Sequence, residues 1–107
     1  ICSEAAIRRY GLDPARAIRV VASAVGSETA EGGPDADALL TRQVIGRAMA
    51  DARITGADLD LLEVHDAFTV EELLYAEAAG LCGEGEAIHL LKDGAFDIGG
   101  RCAVSTS

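Results

Sequence analysis

Residues 61–86 read LLEVHDAFTVEELLYAEAAGLCGEGE, and this stretch decides the fold. Asp60 to Val64 is short and dominated by Leu and Val, the pattern of a strand buried on most sides. His65 and Asp66 end the apolar run. Thr69 and Glu72 are spaced as a capping box, and Phe68 and Leu73 as its hydrophobic staple. Gly80 suits the C′ position. The spacing therefore predicts a helix from about Val70 to Ala79, entered from a strand through His-Asp-Ala-Phe.

Working outward, Ser3 to Tyr10 reads as a short helix capped by Ser3 and stopped by Gly11. Its charges, Glu4 first and Arg8 and Arg9 last, suit the helix dipole. Ile18 to Val25, IRVVASAV, is β-branched and predicts a strand. An acidic Gly/Pro-bearing loop, GSETAEGGPDAD, follows. Ala38 to Arg53 predicts a second helix with Leu40, Val44 and Ala48 on one stripe, widened by Leu39, Ile45 and Met49. Beyond the third helix, CGEGEA reads as loop. IHLLKDGAF reads as an extended segment turning at Asp93-Gly94, and GGRCAVSTS as the start of another strand. Helices alternating with strands imply an α/β fold with at least partly parallel pairing.

A length of 107 residues, half of them apolar, suits one domain with a real core. With 9 basic against 18 acidic residues the net charge is −9, which argues against nucleic acid and anionic lipid as partners. No apolar run approaches the ~18 residues of a membrane span. No signal peptide is read at the N-terminus. Cys2, Cys82 and Cys102 are odd in number and widely spaced, matching neither a disulfide framework nor a zinc site, so a reducing cytoplasm and no metal are expected. The chain opens on Ile1 and stops after CAVSTS, so both ends read as cut from a larger protein.

Among chemistry-bearing residues, His65 sits at the carboxyl end of the predicted strand, where ligands collect in open α/β sheets. An imidazole there can donate to a carbonyl or enolate oxygen, hold a water or move a proton; it can equally be a structural histidine. Asp66, on the opposite face, is expected to hold loop amides near the helix start. Glu77 falls near the middle of the apolar stripe of its helix and must be paired, hydrogen-bonded or protonated. It serves either as a structural carboxylate on loop amides or in the site. Cys82 follows the negative end of a helix, which disfavours a thiolate, so it reads as structural, as does Cys102. His89 has no partner pattern. The Gly-Glu-Gly loop and Gly99-Gly100 lack a phosphate-loop context and more simply permit unusual backbone angles.

The chain resembles the thiolase superfamily, in particular its sterol-carrier-protein-X or lipid-transfer-protein type. CSEAAIRRYGL looks like the helix opening the C-terminal half, AIRVVASAVGSET like its second strand, and DLDLLEVHDAFTVEELLYAEAAGLCGEGEA like the strand, active-site turn and helix. GGRCAVSTS looks like the lead-in to a Ser-Gly-Gly segment. The resemblance implies that residues 1–107 are part of a thiolase-like C-terminal domain (βαβαβαββ, layered α/β/α) without its first strand or its Gly-His-Pro turn.

It further implies an acyl-CoA acyltransferase that cleaves or forms carbon–carbon bonds beside a CoA thioester. That enzyme would bind no cofactor and would work as a homodimer. His65 matches the turn's histidine, with an implied role in an oxyanion hole, and Phe68 matches its aromatic, which would position it. The family's catalytic cysteines match neither Cys82 nor Cys102, so the segment alone is expected to be inactive. Relatives lacking the nucleophilic cysteine act as retro-aldolases on steroid side-chain CoA esters with a small OB-fold partner, several with another residue at the His65 position. The histidine favours thiolytic chemistry. A non-catalytic lipid-binding scaffold is the third alternative.

Overall fold

The computed structural model describes residues 2–27, 33 and 36–107. Most of the expected acidic loop after Val25 lies outside the described residues. In chain order the elements are α1 (Glu4–Arg9), α2 (Ala36–Ala52), β1 (Leu61–Leu62), α3 (Thr69–Ala78), α4 (Ala87–Lys92) and β2 (Ala103–Val104). Single 3₁₀ turns occupy Pro14–Arg16 and Gly56–Asp58. β1 and β2 pair in parallel, with Leu61 opposite Ala103 and Leu62 opposite Val104. The class is α/β with parallel pairing, as the element order predicts.

The core lies inside the β1-to-β2 crossover. Ala76, Ala87, Phe96 and Val104 are buried together, with Leu62, Val64, Leu73, Leu81, Cys82, Leu90 and Ala95 packed on them. α3 packs against α2 on one side and α4 on the other. On α2 the predicted stripe of Leu40, Val44 and Ala48 is the half-buried side, while Leu39 stays exposed. Helix α3 stops at Gly80 (φ +71): Leu81 N donates to Ala76 O (3.0 Å) and Gly80 N to Glu77 O (3.0 Å), the double bond set that closes a Schellman end.

Two expectations are corrected. Ile18 to Val25 forms no strand: Ile18 is 95% and Val25 82% exposed, and among the described residues no ladder bond reaches the segment. A β-branched run becomes a strand only against a partner, and none is paired with it here. IHLLKDGAF is not extended; it forms α4. Ala87 and Leu90 turn inward one helical turn apart, and Gly94 (φ +74) ends the helix, with Ala95 N donating to Leu90 O at 2.9 Å. A glycine that supplies positive φ serves a hairpin or a helix end equally, and a short apolar run suits either.

The turn before β1 is clamped to the chain before β2. Arg101 donates through Nη2 to Gly56 O (2.7 Å) and through Nη1 to Leu59 O (3.0 Å). Asp58 accepts from the amide and hydroxyl of Thr55, both at 2.8 Å. The Thr55 amide and then its hydroxyl hold the Asp58 carboxyl below its ordinary range against the opposing effect of burial, with a smaller contribution from the Arg101 charge. Gly56 is buried, and a Cβ there would collide with the Gly80 carbonyl and lie 2.7 Å from Ala79 O.

Gly56→Ala is therefore expected to cost about 1–3 kcal/mol by overpacking, read as a lowered urea midpoint. For Asp58 a lowered folded pKa means stability that is present above its unfolded value and lost as pH falls through the folded one. Acid, below about pH 4, should lower the urea midpoint of the parent chain more than that of Asp58→Asn. Equal acid sensitivity in the two would contradict this account.

Candidate active site

Burial alternates from Leu61 to His65, so the side chains keep strand alternation past the end of β1. Leu62 and Val64 turn to the core; Leu61, Glu63 and His65 turn outward. His65, with Leu62 and Val64 from the other face of the run, lines an open groove of about 490 Å³ whose walls include Val25, Leu40, Val44 and Tyr75. The site is thus an imidazole at the carboxyl end of a parallel strand beside apolar walls. Such a group can donate to an oxygen on which negative charge develops.

After His65 the chain is caught again at the start of α3. Phe68 is the N-cap, and its amide donates to Glu71 Oε2 (3.3 Å). This corrects the expected Thr69–Glu72 box. The helix begins at Thr69, so the third helical residue, whose side chain reaches back to the N-cap amide, is Glu71. It also removes the Phe68–Leu73 staple, because Phe68 is itself the cap and is 70% exposed. Asp66 is exposed and makes no hydrogen bond among the described residues; Glu71 holds the amide expected of it.

Glu77 is half-buried, and its Oε1 accepts from the amides of Gly85 (2.8 Å) and Ala87 (3.4 Å). It ties the Gly-Glu-Gly loop to α3 and does not line the groove. Of His65, Asp66, Phe68 and Glu77, the structure places only His65 in the groove wall. Three residues that sequence reading passed over join the site or its frame: Tyr75, Glu63 and Arg101. Tyr75 stands half-buried in the groove wall, and burial pushes its phenol up, reinforced by the carboxylates of Glu71, Asp37 and Asp66. It remains a protonated donor at neutral pH. Its place two turns into α3 was legible, whereas its neighbours across the groove were not.

All three cysteines are free. Burial first, then the Glu77 and Glu86 carboxylates, push the Cys82 thiol up. Burial likewise raises Cys102, with Arg101 opposing and Asp60 adding to it. Neither is poised as a nucleophile. Gly85 (φ +78) and Gly99 (φ +91) adopt the left-handed backbone expected of the glycine loops. Among the described residues no cluster of His, Cys, Asp and Glu is arranged to hold a metal ion.

The family model described as "Thiolase C-terminal domain-like" matches residues 22–107, a span that holds the groove, His65 and both strands. The chain belongs to this family. Over 107 residues it is 36% identical to the benzoylsuccinyl-CoA thiolase subunit BbsB of Thauera aromatica, covering 98% of this chain and 27% of that protein. It is 36% identical over 74 residues to the 17-hydroxy-3-oxo-4-pregnene-20-carboxyl-CoA lyase of Mycobacterium tuberculosis (68% of this chain, 19% of that protein). Human sterol carrier protein 2 is 26% identical over 113 residues, covering 100% of this chain and 20% of that protein. The chain thus spans about a quarter or less of the length of these relatives. Its fold is that of the thiolase C-terminal domain, small and incomplete, and its relatives include thiolase and lyase enzymes.

The thiol environments give a direct test of the frame. Iodoacetamide at pH 7.5 should label exposed Cys2 in the native chain and spare Cys82 and Cys102, with all three labelled in denaturant. Native labelling of Cys102 by mass spectrometry would contradict the packing described.

Proposed function

We propose that residues 1–107 are part of the C-terminal domain of a thiolase-like acyl-CoA acyltransferase. It lacks that domain's first strand and Gly-His-Pro turn, and the segment is inactive alone. The reaction is thiolytic cleavage, or the reverse Claisen condensation, beside a CoA thioester. CoA enters as part of the substrate and no bound cofactor is required. The observation that carries this reading is the position of His65: at the carboxyl end of parallel β1, in the groove wall, and inside the segment the family model matches.

His65 donates a hydrogen bond, directly or through a water, to the thioester oxygen as it takes on enolate charge. Charge that develops in the transition state is where a fixed donor is most effective. Phe68, exposed at the N-cap, shapes the approach to the turn. The enzyme is proposed to act as a cytoplasmic homodimer; three free cysteines suit a reducing compartment.

A second reading is supported by the 36% identity to a lyase. In it the same turn serves a cysteine-less retro-aldolase on steroid side-chain CoA esters, paired with a small OB-fold protein. The two readings part at the nucleophile. Alkylation that abolishes turnover, mapped to a cysteine outside residues 1–107, supports thiolysis; turnover untouched by alkylation supports the lyase.

His65→Ala in the complete enzyme is expected to lower kcat about 100-fold, the worth of one oxyanion donor, with a smaller change in KM. Near-normal kcat in a folded variant would overturn the assignment of His65.

A further inference from the structure

Glu63 receives more hydrogen bonds than any other side chain near the groove. Its Oε1 accepts from the Thr106 amide (3.0 Å) and hydroxyl (2.8 Å), and its Oε2 from the Ser107 hydroxyl (2.8 Å). These bonds cross from the end of β1 to the end of β2, one step past the last ladder bond, Ser105 N to Leu62 O at 2.9 Å. The hydroxyls of Thr106 and then Ser107 hold the Glu63 carboxyl below its ordinary range, so it is an anion at neutral pH.

The chain opposite takes up an unfavourable conformation where it meets this clasp. Ser105 has φ +48, a left-handed backbone that non-glycine residues avoid. Among the described residues its buried Oγ also has no hydrogen-bond partner. The left-handed turn swings Thr106 back onto Glu63. Strain and an unpaired hydroxyl therefore fall on one residue, opposed by three bonds to one carboxylate.

Glu63 and His65 share the outward face of the same short run, about 7 Å apart along an extended chain. The next fixed point after His65 is the Phe68 amide on Glu71. His65 is suspended between these two carboxylate anchors. We propose that Glu63 is a positioning residue for His65: by gripping Thr106 and Ser107 it fixes the end of β1 and so the direction of the imidazole. The catalytic half of this inference rests on the reading of His65 as a thioester-oxygen donor; the structural half does not.

The test uses Glu63→Ala and Glu63→Gln, each checked for folding by circular dichroism. Gln removes the charge but keeps the clasp: its amide oxygen can accept from the Thr106 amide and hydroxyl as Oε1 does, and the Ser107 hydroxyl can turn to accept from its amide nitrogen. The chain has two histidines, so their ring Cε1–H signals are readily assigned by NMR. In Glu63→Ala the His65 signal should shift or broaden, with the His89 signal unmoved and Glu63→Gln like the parent. An unmoved His65 signal, or equal changes in Ala and Gln, overturns the positioning role. In the complete enzyme turning over acetoacetyl-CoA with free CoA, Glu63→Ala should lower kcat about 10-fold with little change in KM. Combined with His65→Ala it should add nothing further. Full additivity overturns the proposal. Normal turnover in His65→Ala alone would sink the functional reading and leave the NMR result standing.

Discussion

Two residue pairs, Leu61 with Ala103 and Leu62 with Val104, are the strand pairing on which the described structure depends. A parallel pair cannot be joined by a tight turn, so the chain between them must leave the sheet and return. Here the return path carries α3 and α4, and the core forms because that path closes on the strands. Ala76 and Ala87 are fully buried on α3 and α4, and such small side chains let the two helices approach closely. Phe96 and Val104 fill the space beside them. A buried side chain of that kind contributes roughly 1.5–3 kcal/mol, so a few of them hold a ladder of two bridges. Arg101 fixes the register from outside by holding the carbonyls of Gly56 and Leu59. Gly100 allows the close approach, since a Cβ there would meet the carbonyls of Gly94 and Ala95.

The same dependence explains why burial is uneven. Residues 2–27 include no buried residue, and the radius of gyration, 16.6 Å, exceeds the ~13 Å of a compact chain of this length. Ile18, Val20, Val21 and Val25 are exposed together, an apolar run that stabilises nothing where it stands. Just past it the chain meets α2: a Cβ at Gly26 would lie 2.6 Å from Val44 Cγ2 and 2.7 Å from Leu40 Cδ1. Local opening should therefore be easiest in this arm and hardest around Ala76, Ala87 and Cys102.

Legibility in the sequence followed the range of the interaction involved. The end of α3 was readable because a Schellman end is local: Gly80 provides it within one turn. The start was misread by one residue, and that shift moved the capping carboxylate from Glu72 to Glu71 and dissolved the staple. The parallel strands β1 and β2 were placed correctly from short apolar runs. The run at Ile18 to Val25 is richer in β-branched residues yet has no partner among the described residues, and strand formation is a property of the pair. Residues 88–92, within IHLLKDGAF, were read as extended because Gly94 fits two kinds of turn. In the site, the positions of His65 and Glu77 were legible. That Glu77 would hold loop amides was one of its two readings, and the amides of Gly85 and Ala87 are close in the chain; that Glu63 would meet Thr106 depends on a residue 43 positions away.

The charge around His65 constrains what this face can bind. From Ile54 to Leu91 the chain has no lysine or arginine, while Glu63, Asp66, Glu71 and Glu72 flank the histidine. Free carboxylates there would oppose negative charge on a thioester oxygen. Glu63 instead spends its lone pairs on three donors, and Glu71 faces the Phe68 amide. The bonds to those two carboxylates also shape the turn, while Asp66 beside the histidine accepts none among the described residues. From Ile54 to Leu91 the segment therefore offers no cation to an anionic group, and on the proposed acyl-CoA reading His65 is what this face brings to the thioester oxygen. On that reading the phosphates of CoA would be held by residues outside 54–91, since none in that stretch is a lysine or arginine.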